Sequence, residues 1–226
     1  MGLLYVIVIL FSVAGFAVSA MLKSKFSKYS KFGLSSGMSG SEVAQKMLDH
    51  YGISGVQIVM GQGMLTDHYN PLTRTVSLSP DVYEGRSVSA AAVAAHECGH
   101  AVQHATAYPY LKMRSSLVPV VQIASSVQQF LLLIAFMTLS SMPQIMLITV
   151  IAFGITALFS LITLPVEFDA SKRALAWLDN TNTAVGKEYE GAKDALKWAA
   201  MTYVVAALSA LVMFVYLLLS FLGRRD

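Results

Sequence analysis

Two histidines and a glutamate lie within one five-residue stretch, His96-Glu97-Cys98-Gly99-His100. On a helix, residues four apart project from nearly the same angle, so both imidazoles can bind one zinc ion. The carboxylate of Glu97 stands beside that direction, where it can accept a proton from water activated by the metal. The alternative is a chance pattern of core histidines, which a chain with only five histidines seldom produces. The HExxH spacing therefore predicts a catalytic zinc site.

The other three histidines, His50, His68 and His104, carry no comparable pattern. His104 extends the stripe by one more helical turn, and its direction has by then rotated by about 80° from that of His96. We therefore expect His104 to support the site, contact substrate or pack, rather than to bind the metal. Since catalytic zinc usually has three protein ligands and an open position for water, a third ligand must come from elsewhere in the chain.

The zinc motif lies in a very apolar chain of 226 residues, 55% hydrophobic and 13% charged, with a mean hydropathy of +0.59. Soluble domains carry about 25% charged residues, so the composition indicates an integral membrane protein. Four segments reach the length of about 20 apolar residues that a bilayer crossing needs. They cover residues 3–22, 117–140, 145–166 and 201–222. The first of them is predicted to be an uncleaved anchor, because no positive charge precedes it and its apolar part exceeds a signal core.

The basic residues predict how these segments are oriented. If all four cross the membrane, every lysine and arginine except Arg224 and Arg225 lies on one side. Positive residues concentrate on the cytoplasmic side of membrane proteins, so the N-terminus is predicted to lie outside. The lysine-rich stretch 23–31 is either such a topology determinant or a binder of anionic lipid head groups. A net charge of +3 gives no support for nucleic-acid binding, and a single cysteine, Cys98, excludes an intrachain disulfide.

Glu167 is the best candidate for the third ligand. An acidic residue directly after a long apolar span is energetically costly, so its presence indicates a function or a partner. Two crossings separate His100 from Glu167, so the chain returns to the side of the membrane that it left. A helix that begins after Pro165 can then bring Glu167 to the zinc helix. From the residues alone, Glu167 can equally mark the membrane boundary, with Asp169 paired to a neighbouring basic side chain.

Between the first two spans, the pattern predicts a small α+β region. A short amphipathic helix follows a Gly/Ser-rich joint, with Ser41 as its N-cap. Two alternating segments, 56–60 and 74–79, predict strands. The second of these is either structural or an edge strand that pairs with an extended substrate. The alanine-rich stretch 87–107 predicts a zinc helix of about five turns.

These residues also resemble known families. HExxH followed, after a hydrophobic hairpin, by E-x-x-A on a helix resembles the HtpX and CAAX-prenyl-protease group of membrane gluzincins. The stretches 66–105 and 164–175 resemble more closely the YugP-type neutral zinc metallopeptidases of bacteria. This second resemblance covers most of the chain, from the first span to about Trp177.

The resemblance implies roles for individual positions. His96, His100 and Glu167 would bind one catalytic Zn²⁺ ion, and Glu97 would be the general base. The HtpX group has an aspartate four residues after the ligand glutamate, where this chain has Ser171. No supporting role is therefore carried over to that position, and the resemblance names no substrate.

Together these observations predict a mainly α integral membrane protein, with about four transmembrane helices and a small cytoplasmic α+β subdomain of the zincin type. The bilayer and membrane-associated protein or peptide substrates are its expected partners. The predicted organisation is an anchor (3–22), a catalytic segment (23–116), a transmembrane hairpin (117–166), a third-ligand helix (167–200) and a last span (201–222).

The predicted function is a bacterial, multi-pass zinc metalloendopeptidase that cleaves membrane or juxtamembrane proteins at the cytoplasmic face of the cell membrane. One alternative is a site-2-type intramembrane protease, although the apolar run 88–95 before the motif is too short to cross a bilayer. Another is a non-catalytic zinc-containing scaffold or chaperone, in which Glu97 would have no catalytic role.

Overall fold

The computed structural model describes residues 2–138 and 142–223. Within these ranges the helices are α1 (Gly2–Tyr29), α2 (Gly40–His50), α3 (Pro80–Tyr83), α4 (Val88–Ala105), α5 (Pro109–Met137), α6 (Pro143–Asn180) and α7 (Lys187–Leu222), and the strands are β1 (Gln57–Met60), β2 (His68–Asn70) and β3 (Thr75–Leu78). Four helices, α1, α5, α6 and α7, are long and apolar enough to cross a membrane. The predicted mainly α membrane fold with a small sheet is confirmed. Ser140, at the end of the predicted second span, and Arg224 and Arg225 lie outside the described residues.

The chain divides into two compact units. We call the first the apolar unit; it comprises the described parts of 1–17, 112–165 and 202–226. Its core is formed by large apolar side chains such as Met146, Phe153 and Leu217. We call the second the site unit; it comprises Val18–Leu111 and Val166–Met201, and contains α2, α3, α4 and the sheet.

The three-stranded sheet has the order β1-β3-β2, with β1 parallel and β2 antiparallel to β3. β3 is therefore the central strand, and its side chains Val76 and Leu78 are fully buried. The alternative that 74–79 is an edge strand for substrate is wrong, because both edges of β3 are already paired. β2 was not predicted, since it has only three residues and no alternating pattern of its own.

The helix α2 begins two residues earlier than predicted. Its N-cap is Ser39, which has an extended backbone, and the Ser39 hydroxyl accepts a hydrogen bond from the backbone N–H of Glu42. The carboxylate of Glu42 accepts in return from the backbone N–H of Ser39, at 2.7 Å. This reciprocal pair is a capping box, and Ser41 cannot form it because its spacing to Glu42 is too short. One face of α2 then buries Val43 and Met47 in the site unit.

The helix α6 runs without a break from Pro143 to Asn180, through Pro165. The prediction of a separate helix after Pro165 is therefore wrong. Proline removes one backbone donor, but long apolar helices tolerate this loss because neighbouring groups satisfy the freed carbonyl. As a result, Glu167 belongs to the same continuous helix as the third predicted span.

The helix α4 has 18 residues, which matches the five turns predicted for this stretch. Ser87 caps its N-terminus, with its hydroxyl accepting a hydrogen bond from the backbone N–H of Ala90 at 3.3 Å. Small residues let neighbours approach α4 on several sides, and most of the helix is buried. On one side the thiol of Cys98 contacts the carbonyl of Ala44 on α2. A buried, well-packed helix of this kind holds its side chains in fixed directions.

Candidate metal centre

The helix α4 places His96 and His100 side by side, one turn apart. Their ring centroids are 4.9 Å apart and the rings meet edge to face. His100 is buried and His96 is nearly so, with side-chain exposures of 10% and 12%. This pairing follows from the four-residue spacing alone, because it needs only a helical backbone.

Glu167 on α6 completes the cluster. Its Oε2 atom lies 3.3 Å from Nε2 of His96 and 3.6 Å from Nε2 of His100. One ligand atom from each of the three residues lies within 4.8 Å of the other two. Two imidazole nitrogens and one carboxylate oxygen are the donors that catalytic zinc prefers, and three protein ligands leave one position open. The cluster therefore fits a zinc ion.

The charges around His100 favour a bound cation. Burial alone would lower the pKa of His100, but hydrogen bonding to Glu167 and the negative charges of Glu167 and Glu97 raise it above its usual value. Glu97 itself is only 8% exposed. Two carboxylates and two imidazoles thus share one nearly buried site, and a divalent metal would compensate their negative charge.

The far nitrogen of each histidine ring also has a hydrogen-bond partner. Nδ1 of His96 lies 3.1 Å from the hydroxyl of Ser171 on α6, and Nδ1 of His100 lies 3.0 Å from Oε1 of Gln103 on α4. Such contacts orient imidazole side chains that bind a metal. Ser171 occupies the position to which the resemblance carried no role, and here it touches His96 directly.

Gln103 is a contact of the site that the sequence reasoning missed. Its side chain is fully buried, and its amide nitrogen donates to the carbonyl of Val166 at 2.8 Å and to Oδ2 of Asp169 at 2.9 Å. Asp169 also accepts from Nε of Arg173 at 2.5 Å. The available signal was the position of Gln103 three residues after His100, which places both on one face of a helix.

Gly99 lies where the backbone of α4 closely approaches that of α6 at Ala170. A Cβ atom at position 99 would lie 2.6 Å from the carbonyl oxygen of Ala170 and 3.1 Å from its Cα. Such distances are shorter than van der Waals contact, and the obstructing atoms belong to the backbone. A glycine at this position therefore allows the separation at which Glu167 meets the two histidines.

The remaining histidines lie outside the cluster. Nδ1 of His104 is 2.8 Å from the hydroxyl of Tyr69 on β2, at an exposed position. Nδ1 of His68 contacts the carbonyl of Thr66, and the ring of His50 packs edge-on against Trp177. Each of the three has a local contact that accounts for its position.

Comparison with known proteins identifies the family. A family model described as "Putative neutral zinc metallopeptidase" matches residues 4–222, nearly the whole chain. The chain belongs to this family. It is also similar to "Putative membrane protease YugP" of Bacillus subtilis (strain 168), with 44% identity over 205 residues that cover 91% of this chain and 90% of that protein. No solved structure matches the chain.

Membership in this zinc metallopeptidase family confirms the resemblance inferred from residues 66–105 and 164–175. It also implies zinc, and the cluster of His96, His100 and Glu167 is a group that could hold a metal ion. The similarity to a membrane protease agrees with the four long apolar helices. The individual roles of the three cluster residues and of Glu97 stay predictions.

Proposed function

We propose that the protein is a zinc-dependent membrane endopeptidase in which His96, His100 and Glu167 hold the metal. The observation that carries the proposal is the convergence of two imidazole nitrogens and one carboxylate oxygen within 4.8 Å. When bound, a zinc ion supplies Lewis acidity, which lowers the pKa of water to about 7 and polarises a carbonyl group. Membership in a zinc metallopeptidase family supports the same reaction, hydrolysis of a peptide bond.

Glu97 is the proposed general base. It directly follows His96 on α4, and its negative charge is felt at His100, so its carboxylate belongs to the same site. In the proposed reaction this carboxylate accepts a proton from the attacking water and returns it to the leaving amine nitrogen. Without that transfer, the amine would leave as an unstable anion.

The test of this role is the variant Glu97→Gln, because an amide neither accepts nor returns the proton. We expect zinc content near wild type and a loss of peptidase activity of about 10²-fold or more. The matched control is Glu84→Gln, at an exposed position outside the cluster, which should keep both properties. Full activity in Glu97→Gln would contradict the proposed mechanism.

Two alternative functions can be distinguished from the proposed one, the first by the structure and the second by a measurement on wild-type protein. A site-2-type protease needs its HExxH helix within the bilayer, and α4 is not among the four described helices that are long and apolar enough to cross one. A non-catalytic scaffold would hold one zinc ion yet cleave nothing. Purified wild-type protein that contains zinc but leaves a peptide library intact would favour the scaffold.

We further propose that the site faces the cytoplasm and that the substrates are membrane proteins or their juxtamembrane segments. The uneven distribution of lysine and arginine supports this orientation. The zinc helix ends at Ala105 and α5 begins at Pro109, so only a short connection separates the site from the next apolar helix. A site joined by so short a connection to an apolar helix supports substrates that lie in or next to the membrane.

Single cysteines test the orientation. Burial raises the pKa of Cys98 far above its usual range, so its thiol stays unreactive and need not be removed. Cysteines at Ser36 and Asn180, both exposed, should react only from the cytoplasm. A cysteine at the exposed Met142, between the second and third predicted spans, should react from the other face. If Ser36 and Asn180 react from opposite faces, one predicted span is wrong.

A further inference from the structure

We propose that Gln103 is a positioning residue of the metal centre, which selects the tautomer of His100 and ties α4 to the segment of α6 that carries Glu167. The inference rests on the zinc site proposed above and extends it to a residue that does not bind the metal. The side chain of Gln103 is fully buried. Its amide contacts His100 on its own helix, α4, and two residues of α6.

The partners of the amide nitrogen determine how the side chain is oriented. Nε2 of Gln103 lies within hydrogen-bond distance of the carbonyl oxygen of Val166 and of Oδ2 of Asp169. A backbone carbonyl can only accept. Oδ2 of Asp169 also accepts from Nε of Arg173, and a guanidinium can only donate, so this oxygen faces Gln103 as an acceptor too. Both protons of the amide nitrogen are therefore used on α6, and the amide oxygen must point the other way.

The orientation of the amide determines which ring nitrogen of His100 carries the proton. Oε1 of Gln103 faces Nδ1 of His100 at 3.0 Å, and an amide oxygen only accepts hydrogen bonds. Nδ1 must therefore carry the proton, which leaves the lone pair of a neutral ring on Nε2. Nε2 is the atom that lies 3.6 Å from Oε2 of Glu167. The opposite tautomer would put two acceptors against each other and turn an N–H towards the metal position.

The same amide also links the two ligand-bearing helices. Its two acceptors on α6 are one residue before and two residues after Glu167. A shift of α6 along its axis would break both hydrogen bonds and remove Glu167 from the histidines together. His96 has a weaker arrangement, because the hydroxyl of Ser171 can donate or accept and so selects neither tautomer.

The first test replaces the amide with an apolar chain of similar length, Gln103→Met. We expect the zinc dissociation constant, measured by competition with a chelator, to rise by about 10- to 100-fold. The matched control is Gln45→Met on α2, which removes a similar Gln–Asp hydrogen bond of 2.8 Å at an exposed position. Its zinc affinity should equal that of wild type.

The second test exchanges the two polar partners. In Gln103→Glu the new carboxylate still accepts from His100, but it meets the carboxylate of Asp169, so zinc affinity should fall. In the double variant Gln103→Glu/Asp169→Asn, the new amide at position 169 can donate to the new carboxylate, and net charge is restored. We expect the double variant to recover part of the affinity that Gln103→Glu loses, because the exchange restores the contact between positions 103 and 169 but leaves the carbonyl of Val166 facing an acceptor. A residue that only fills space would not show this recovery.

A spectroscopic measurement reports on the tautomer directly. In zinc-loaded protein with ¹⁵N-labelled histidine, the Nδ1–H proton of His100 should be visible and protected from solvent exchange. In Gln103→Met its exchange should become faster, while the control Gln45→Met should match wild type.

The outcomes separate this inference from the proposed function. Wild-type protein that binds no zinc would overturn both. Tight zinc binding by wild type, together with equal affinity in Gln103→Met or no recovery in the double variant, would overturn the role of Gln103 and leave the zinc site standing. If Gln103→Met does not fold, the exchange variants decide the question.

Discussion

The two helices that meet at the candidate metal centre contribute to it in different ways. The helix α4 supplies two histidines whose relation is set by one turn of backbone, so the pair forms wherever this segment is helical. The helix α6 supplies one carboxylate, and nothing in its own backbone directs that carboxylate to a partner. It reaches the histidines because α6 packs against α4 at Ala170 and Gly99. The comparison shows that local spacing makes the pair of histidines, whereas a helix crossing completes the cluster.

The difference also predicts which half of the site is more easily disturbed. The α4 half is buried in the site unit and capped by Ser87. The α6 half packs in the same core through Ala174 and Trp177, and next to the ligand position it is joined to α4 by the backbone approach at Gly99 and the hydrogen bonds made by Gln103 and Ser171. Substitutions at these contacts should weaken zinc binding without touching a proposed ligand.

The largest expected effect separates Glu167 from its neighbour Asp169. On a helix the two lie about 200° apart, and only Glu167 faces the histidines, while Asp169 contacts Gln103 and Arg173. Glu167→Ala should lose several kcal/mol of zinc binding and be inactive, yet remain inserted in the membrane. Asp169→Ala should keep most of its zinc and part of its activity. Metal analysis of both purified variants checks this, and the reverse result would refute the assignment of the α6 ligand.

The next effect concerns removal of the metal. Ligand binding to the folded state alone stabilises a protein by about 2.7 kcal/mol when the free ligand is at 100 times its dissociation constant. A chelator should therefore lower the melting temperature of the wild-type protein. A chelator should lower the melting temperature of Glu167→Ala only slightly, because this variant already lacks the carboxylate that α6 contributes. Equal chelator effects in both proteins would mean that zinc does not join α4 to α6.

A smaller effect tests the crossing itself. Gly99→Ala places a methyl group against the backbone of Ala170, so the two helices must separate or the backbone must strain. Overpacking of this kind costs about 1–3 kcal/mol, and zinc affinity should fall with it. Gly15→Ala is the control, because a Cβ there meets nothing within 4 Å. Thermal unfolding and zinc titration of the two variants measure the difference. If both variants unfold and bind zinc alike, the contact between α4 and α6 accommodates a methyl group at position 99.

The smallest effect tests the partner of His96. Ser171→Ala removes one neutral hydrogen bond, which contributes about 0.5–1.5 kcal/mol. Zinc affinity should fall by about two- to tenfold, less than in Gln103→Met. Ser30→Ala, which removes an exposed hydroxyl bonded to the carbonyl of Ser27, should have no effect. A loss larger than that of Gln103→Met would reverse the proposed order of the two supporting contacts.

Part of the fold could be predicted because its causes are local or compositional. The apolar segments predict four membrane-spanning helices, and the alanine-rich stretch predicts α4, since both depend on nearby residues only. Two predicted helix boundaries were wrong. Pro165 does not end a helix, and the N-cap of α2 is Ser39 rather than Ser41 because only Ser39 has the spacing for a reciprocal bond with Glu42.

The sequence by itself determined the first half of the candidate metal centre. A four-residue spacing on a helix brings His96 and His100 to one side whatever surrounds them, and it places Glu97 beside them. The topology of the spans made Glu167 a candidate but left the membrane-boundary alternative open. Asp169 does pair with Arg173, as that alternative proposed, yet this says nothing about where Glu167 points.

Only the tertiary structure decided how the second half is assembled. The contact of Glu167 with the histidines, the approach of Gly99 to Ala170 and the bridge made by Gln103 all join residues more than sixty positions apart. No local periodicity encodes such contacts, because they depend on how two separately formed helices pack. Backbone geometry is a property of a few neighbouring residues, whereas the separation and register of two helices are properties of the whole folded unit.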